Sequence, residues 1–152
     1  MAIADLTPLF ADSEDQCLLF ALRHRIDKPR TNVLRTFCDA CDAIELVHSD
    51  GFEILFEQAT PLENYAEACG QLGLPQVQPI FSKVLALIPR DLRLPENEET
   101  LFEHLRGRFE ELKELSYEFY DASTDFAPTA ARYVRQHRDE FAEYVHWLKE
   151  QG

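Results

Sequence analysis

Apolar residues recur along this chain at intervals of three and four, with polar residues filling the gaps, which is the period of an α-helix. The longest such run covers 97–121. Projected at about 100° per residue, Leu101, Leu105, Phe109, Leu112, Leu115 and Phe119 share one arc, and Glu103, Glu110, Glu114, Glu118 and Asp121 fall opposite it. Glu111 flanks the carboxylate line, while Arg106, Arg108 and Lys113 interrupt the surrounding surface. The pattern predicts one long helix with an apolar wall and an acidic face. Gly107 lies inside it at a cost of ~1 kcal/mol relative to Ala, so a bend or a split there is compatible with the pattern.

The same period predicts further helices before and after this one. After a short leader over 1–12, Ser13 is positioned to cap a helix carrying Cys17, Leu18, Phe20, Ala21 and Leu22, which ends near Pro29. Thr31 is positioned to cap a second helix, with Leu34, Phe37, Cys41, Ile44 and His48 on one face. Ser49, Asp50 and Gly51 break it, and Phe52, Leu55 and Phe56 resume at i, i+3, i+4 as a short amphipathic helix ending near Gln58. Pro61 opens a helix that Gly73 closes, and Pro75 opens another that runs to Pro89. Beyond the long helix, 123–128 reads as a connector, 130–136 as a short helix, and 138–149 as a last helix with Phe141, Tyr144, Val145 and Leu148 on one face. No run alternates with period two. The expected fold class is all-α: a compact single domain over 1–152, a bundle of about seven to eight helices with no sheet.

Composition turns this outline into a question about surface charge. The chain of 152 residues is 45% hydrophobic with 11 Phe, so it can build a core despite a formal net charge of −13. Such a charge disfavours direct contact with nucleic acid or anionic lipid and favours a basic protein as partner. The one basic cluster, Arg23, His24, Arg25, Lys28, Arg30 and Arg35, is either a solvated helix end or a contact for acidic groups. No stretch is apolar enough to span a membrane and the start of the chain has no secretory pattern, so a cytoplasmic setting is expected. The four cysteines, Cys17, Cys38, Cys41 and Cys69, then read as reduced and mostly buried.

The stretch from Ser49 to Gln58, SDGFEILFEQ, adds a further constraint. It resembles the signature of a bacterial all-helical family whose characterised member is a dimeric, acidic DNA-mimic protein. Gly51, Phe52 and Phe56 match that signature, whereas Leu55 stands in place of an aromatic residue and Gln58 in place of Asn. The helix that Gly73 stops, the helix that ends at Ile88 and Pro89, and the acidic segment 109–120 resemble the same family in order and spacing, over roughly 31–141. The resemblance implies a helical, dimeric protein with no enzyme activity and no cofactor. It also implies that surface carboxylates imitate DNA phosphates and occupy the DNA-binding face of a basic transcription regulator. On that reading Glu103, Glu110, Glu111, Glu114, Glu118 and Asp121 form the partner-binding stripe, and Gly51, Phe52, Phe56 and Gly73 are structural. An acidic adaptor or immunity-type protein that blocks another basic partner is the alternative.

A metal-binding helical enzyme is the remote alternative. Glu45 with His48 and Glu143 with His146 have the Glu-x-x-His spacing of di-iron bundles. In the last helix, however, the face bearing Glu143 and His146 lies opposite the apolar one, so no metal is expected. Cys38 and Cys41 have Cys-x-x-Cys spacing without a strand beside them, and buried structural thiols are expected there.

Overall fold

The computed structural model describes residues 16–151; the leader over 1–12 and the Ser13 cap lie outside the described residues. Eight α-helices are present among the described residues, and no strand. They are α1 Gln16–Arg25, α2 Asn32–Asp50, α3 Leu62–Leu72, α4 Gln78–Leu87, α5 Glu98–Gly107, α6 Phe109–Ala122, α7 Phe126–Gln136 and α8 Arg138–Gln151. Short 3₁₀ turns occupy Phe52–Glu57, Pro75–Val77, Arg90–Arg93 and Pro95–Asn97.

The organising element is α2. Thr31 caps it, with its Oγ1 accepting from the Leu34 N–H at 3.2 Å and donating to Glu140 Oε2 at 2.8 Å, which ties α8 to the same corner. Besides the face of Leu34, Phe37, Cys41 and Ile44 it buries Thr36, Ala40 and Ala43 on another side, as a helix surrounded by others requires. Around it pack α1, α3, α6, α7, α8 and the 3₁₀ turn at Phe52–Glu57. Three tyrosine hydroxyls fasten the later helices to α2 and, in one case, to the end of α1. Tyr120 donates to the Val47 carbonyl at 3.0 Å, Tyr133 to Val33 at 3.3 Å, and Tyr144 to Arg25 at 3.4 Å. Each gives a largely buried ring a satisfied polar end.

Two glycines permit the turns around α2 and α3. Gly51 ends α2 at φ +81°, and its N–H bonds to the Val47 carbonyl at 2.9 Å. A Cβ there would come within 2.6 Å of Glu53 Oε2. This conformation turns the chain so that Phe52 enters the core fully buried. After α3, Gly73 has φ +123°; its N–H reaches the Gly70 carbonyl at 3.2 Å, and the Leu74 N–H reaches Cys69 at 2.9 Å. That pair of bonds is a Schellman ending, and Leu74 and Cys69 are both buried beneath it.

The structure departs from the sequence reading in four places. His48, grouped on one face with Leu34, Phe37, Cys41 and Ile44, is exposed near the end of α2, where the packed face has given out. The run 97–121 is two helices, because Arg108 adopts φ −108°, ψ 16° and interrupts it between Gly107 and Phe109. Phe109, assigned to the apolar arc, is 54% exposed. It lies roughly 70° from the centre of the α6 apolar face and at the first position of that helix, with no earlier turn of α6 to cover it. The connector ends sooner than its proline suggests. Pro128 sits in the first turn of α7, where backbone N–H groups need no helical partner.

Candidate protein-interaction surface

The acidic surface is displayed by the packing of α6. Leu112, Leu115 and Phe119 form its buried face, and Phe119 completes a cluster with Phe52 and Phe81. The three rings meet edge-on at centroid distances of 5.3 to 5.7 Å, the geometry that aromatic quadrupoles favour. Ser116 accepts from the Phe52 N–H at 3.4 Å and donates to its own helix at Leu112. The His48 ring stands edge-on to Phe119 and Tyr120 at the far end. With that side fixed, Glu110, Glu114 and Asp121 point almost directly away from the core on the same 100° projection.

All six carboxylates of the expected stripe are exposed, but they are not equivalent. Glu111 pairs with Arg108 at 2.8 Å and Glu118 with Lys83 of α4 at 3.2 Å. Both occupy the flank of α6 nearest α4. Glu110, Glu114 and Asp121 form no ion pair among the described residues, and Glu103 stands apart on α5, across the Arg108 interruption. The other flank of α6 is aromatic. Tyr117 is 55% exposed and meets Tyr120 at 5.8 Å, and Phe109 lies on the same side. Burial pushes the Tyr120 phenol up, with Tyr117 and the nearby Glu53 carboxylate adding to the effect.

Glu53 belongs to an acidic group that the sequence reading did not single out. Asp50 at the end of α2, with Glu53 and Glu57 on the following 3₁₀ turn, borders a groove of about 390 Å³. Its other wall is α5, through Phe102, Leu105 and Arg106, and Phe109 closes one end. The signal in the sequence was present but divided. Asp50, Glu53 and Glu57 recur at helical spacing, and some fifty residues separate them from the aromatic wall.

The other candidate residues are engaged elsewhere. Arg23, from the basic cluster, grips Asp42 with two bonds of 2.7 and 2.8 Å and also reaches the Ile26 carbonyl at 2.9 Å. Donating to the Asp42 carboxylate raises the Arg23 pKa and holds the guanidinium charged. His24 contacts Glu45 at 3.3 Å, and Arg30 lies 4.1 Å over the Trp147 ring. In the first Glu-x-x-His pair, Glu45 meets His24 while His48 Nε2 lies 3.1 Å from Ser123 Oγ; in the second, His146 pairs with Glu150 at 3.2 Å. Among the described residues no group of three or more His, Cys, Asp or Glu is arranged to hold a metal ion. Cys38, Cys41 and Cys69 are buried and Cys17 is exposed, in keeping with thiols expected to be mostly buried. Burial pushes the Cys38 and Cys69 thiols up to about 12 and the Cys41 thiol well above its ordinary value, so none of these three is a ready nucleophile.

The sequence model of the DMP19-like protein family matches residues 31–137, which spans α2 to α7 and both flanks of the groove. The chain belongs to the DMP19-like protein family. This family is of DNA-mimic type and is not a known enzyme family. No curated protein and no solved structure matches the chain significantly. The DMP19-like region contains Gly51, Phe52, Phe56 and Gly73, and it contains every carboxylate of the α5 and α6 surface. Among the described residues no helix is long and apolar enough to cross a membrane.

Proposed function

We propose that this protein is a non-enzymatic, acidic interaction module that binds a basic protein through α6, in the manner of a DNA mimic occupying the DNA-binding face of a transcription regulator. The observation that carries the reading is the outward row of Glu110, Glu114 and Asp121, exposed and without ion pairs among the described residues, on a helix anchored by the three-phenylalanine cluster. Successive members of such a row stand about 6 Å apart or more along the helix axis. One DNA strand carries a charge every ~3.4 Å. The row is therefore sparser than one strand, and Glu103, Glu111 and Glu118 add charge at its margins. A frame that holds carboxylates in place lets a basic surface meet them without ordering them first, which lowers the cost of association. Membership of a DNA-mimic-type family supports the same reading. A cytoplasmic setting belongs to it as the expectation from the sequence, and a dimeric working unit on the resemblance alone; light scattering of the purified chain decides the second.

The alternative, an acidic adaptor that blocks some other basic protein, has one observation in its favour. The exposed Phe109 and Tyr117 beside the carboxylates have no counterpart in a phosphate backbone. Affinity capture from the native cell extract separates the two. The DNA-mimic reading expects basic, DNA-binding proteins to be retained at low salt, released by duplex DNA, and lost when Glu110, Glu114 and Asp121 are all changed to Lys. Each of these surface changes alters stability by less than ~0.5 kcal/mol. Retention that ignores both duplex DNA and salt selects the adaptor. Equal capture by the triple variant removes α6 from the site.

A further inference from the structure

We infer that the groove between the Phe52–Glu57 turn and α5 is a second, apolar part of the docking surface. It receives one large apolar side chain of the basic partner while flanking Lys or Arg residues meet Asp50, Glu53 and Glu57. This inference rests on the proposal that the partner is a basic protein, and it says what that partner must carry.

Three observations converge on the groove. Its floor is apolar, formed by Leu105 and the partly buried Phe102, and Phe109 stands over one end with 54% of its surface exposed. A volume of about 390 Å³ is ample for a single side chain. Its rim is negative, since Asp50, Glu53 and Glu57 line it against one cation, Arg106, and none of the three acids forms an ion pair among the described residues. The end of α2 adds to this potential. Gly51 caps α2 beside Asp50, so the negative end of the helix dipole and the Asp50 carboxylate act in the same direction. An acidic residue at a helix C-terminus is unfavourable within the chain and is relieved by a cation from outside it. Charge complementarity therefore selects a basic partner segment. The apolar floor selects one that presents an aromatic or long aliphatic residue among its basic side chains. A second copy of this chain, with the same net charge of −13, is electrostatically the poorer occupant.

The groove is continuous with the α6 surface. Phe109 is the first residue of α6, and Glu53 lies close enough to Tyr120 to influence its phenol. A bound segment running from the groove past Phe109 reaches Glu110 next. The two parts divide the work, the row attracting over distance and the groove holding on contact.

The test is an NMR titration of the full ¹⁵N-labelled chain with two short capped peptides, one with a Trp between paired arginines and the other with Gly in place of that Trp. The expected result is amide shifts over 50–57 and 102–109 with the Trp peptide. Its binding should be about tenfold tighter than that of the Gly peptide, as burial of an aromatic ring implies. Phe109→Ser, at an exposed position, should remove most of that advantage. Equal binding of the two peptides, or shifts confined to α6, overturns the groove while leaving the acidic row standing. No binding of either peptide at low salt brings down the basic-partner reading itself. If light scattering shows a dimer that Phe109→Ser converts to monomer, the groove is an interface between copies and the inference falls.

Discussion

Helices α5 and α6 follow each other with one residue between them, and both carry two acidic residues in the first turn, Glu98 and Glu99 in α5 and Glu110 and Glu111 in α6. Both are amphipathic with the same period, yet they are held in different ways. Helix α6 is fixed from the centre of the molecule, with Phe119 against Phe52 and Phe81, Ser116 bonded to the Phe52 N–H, and Tyr120 bonded to Val47 of α2. Helix α5 buries Leu101 and Leu105, but its neighbours are chiefly the two 3₁₀ turns just before it, together with the bond of 2.8 Å between His104 Nε2 and the Leu87 carbonyl. The difference separates a charged face on a rigid frame from a groove wall that is supported locally. A row of charges gains from fixed spacing, whereas an apolar groove that must accept a side chain gains from a wall able to adjust.

The largest effect that can break this comparison is expected at Phe119. Phe119→Ala removes a fully buried ring from the three-phenylalanine cluster and should cost about 3–5 kcal/mol, read as a lower urea midpoint at unchanged slope. The loss should loosen α6 and the Phe52–Glu57 turn together, since Phe52 contacts the same ring. A cost below ~1 kcal/mol would mean that α6 is not anchored as the packing indicates. Next comes Leu105→Ala, expected near the lower end of the usual 2–5 kcal/mol, because Leu105 borders an open groove into which neighbours and water can move. Hydrogen exchange should then accelerate in α5 ahead of α6. Equal acceleration in both helices would show that they open as one unit and would erase the distinction.

Much of this arrangement was legible in the residues. Thr31 as a cap, Gly51 and Gly73 as turn positions, and Phe141, Tyr144 and Val145 as the inner face of α8 follow from local chemistry, and local chemistry is what a sequence displays. What escaped was decided by distant neighbours. Glu118 reads as part of an open acidic row, but Lys83, thirty-five positions earlier, partly neutralises it. Phe109 falls within the arc of a long ideal helix, and only the fold shows that nothing lies above it there. The groove joins Asp50, Glu53 and Glu57 to Phe102, Leu105 and Phe109, two segments whose proximity depends on how α5 returns over the end of α2. Each half looks like an ordinary amphipathic segment when read alone.

The interruption between the two helices gives a smaller test. Gly107 closes α5, a Cβ added to it meets nothing within 4 Å, and its φ is not in the left-handed region. Gly107→Ala should therefore raise stability by about 0.4–1 kcal/mol, mainly by restricting the unfolded chain, while Arg108 keeps its non-helical conformation. A higher melting temperature with an unchanged Arg108 amide environment assigns the break to packing. A loss of stability assigns it to the freedom of the glycine, and α5 and α6 would then be one helix held bent.

The smallest expected effect is at His48, which reports on the far end of α6. His48 is exposed as a residue, but its ring stands edge-on to Phe119 and Tyr120, and this partial burial lowers its pKa below the ordinary value of 6.5. The Ser123 hydroxyl donates to the Phe119 carbonyl at 2.6 Å, so Ser123 Oγ is left to accept from the His48 Nε2–H. Protonation keeps that bond and penalises only the charge. Above pH ~6.5 the imidazole is neutral both folded and unfolded and adds no pH dependence. As pH falls through that value the unfolded chain binds the proton first, so stability declines until the folded pKa is passed and then levels off. The decline lies above the range in which most carboxylates titrate, and the difference between the native chain and His48→Gln isolates it from the other histidines. Identical stability profiles of the two proteins between pH 7 and 5 would show that the ring is as well solvated folded as unfolded. The opposing flank of α6 would then be less firmly seated than its acidic row requires.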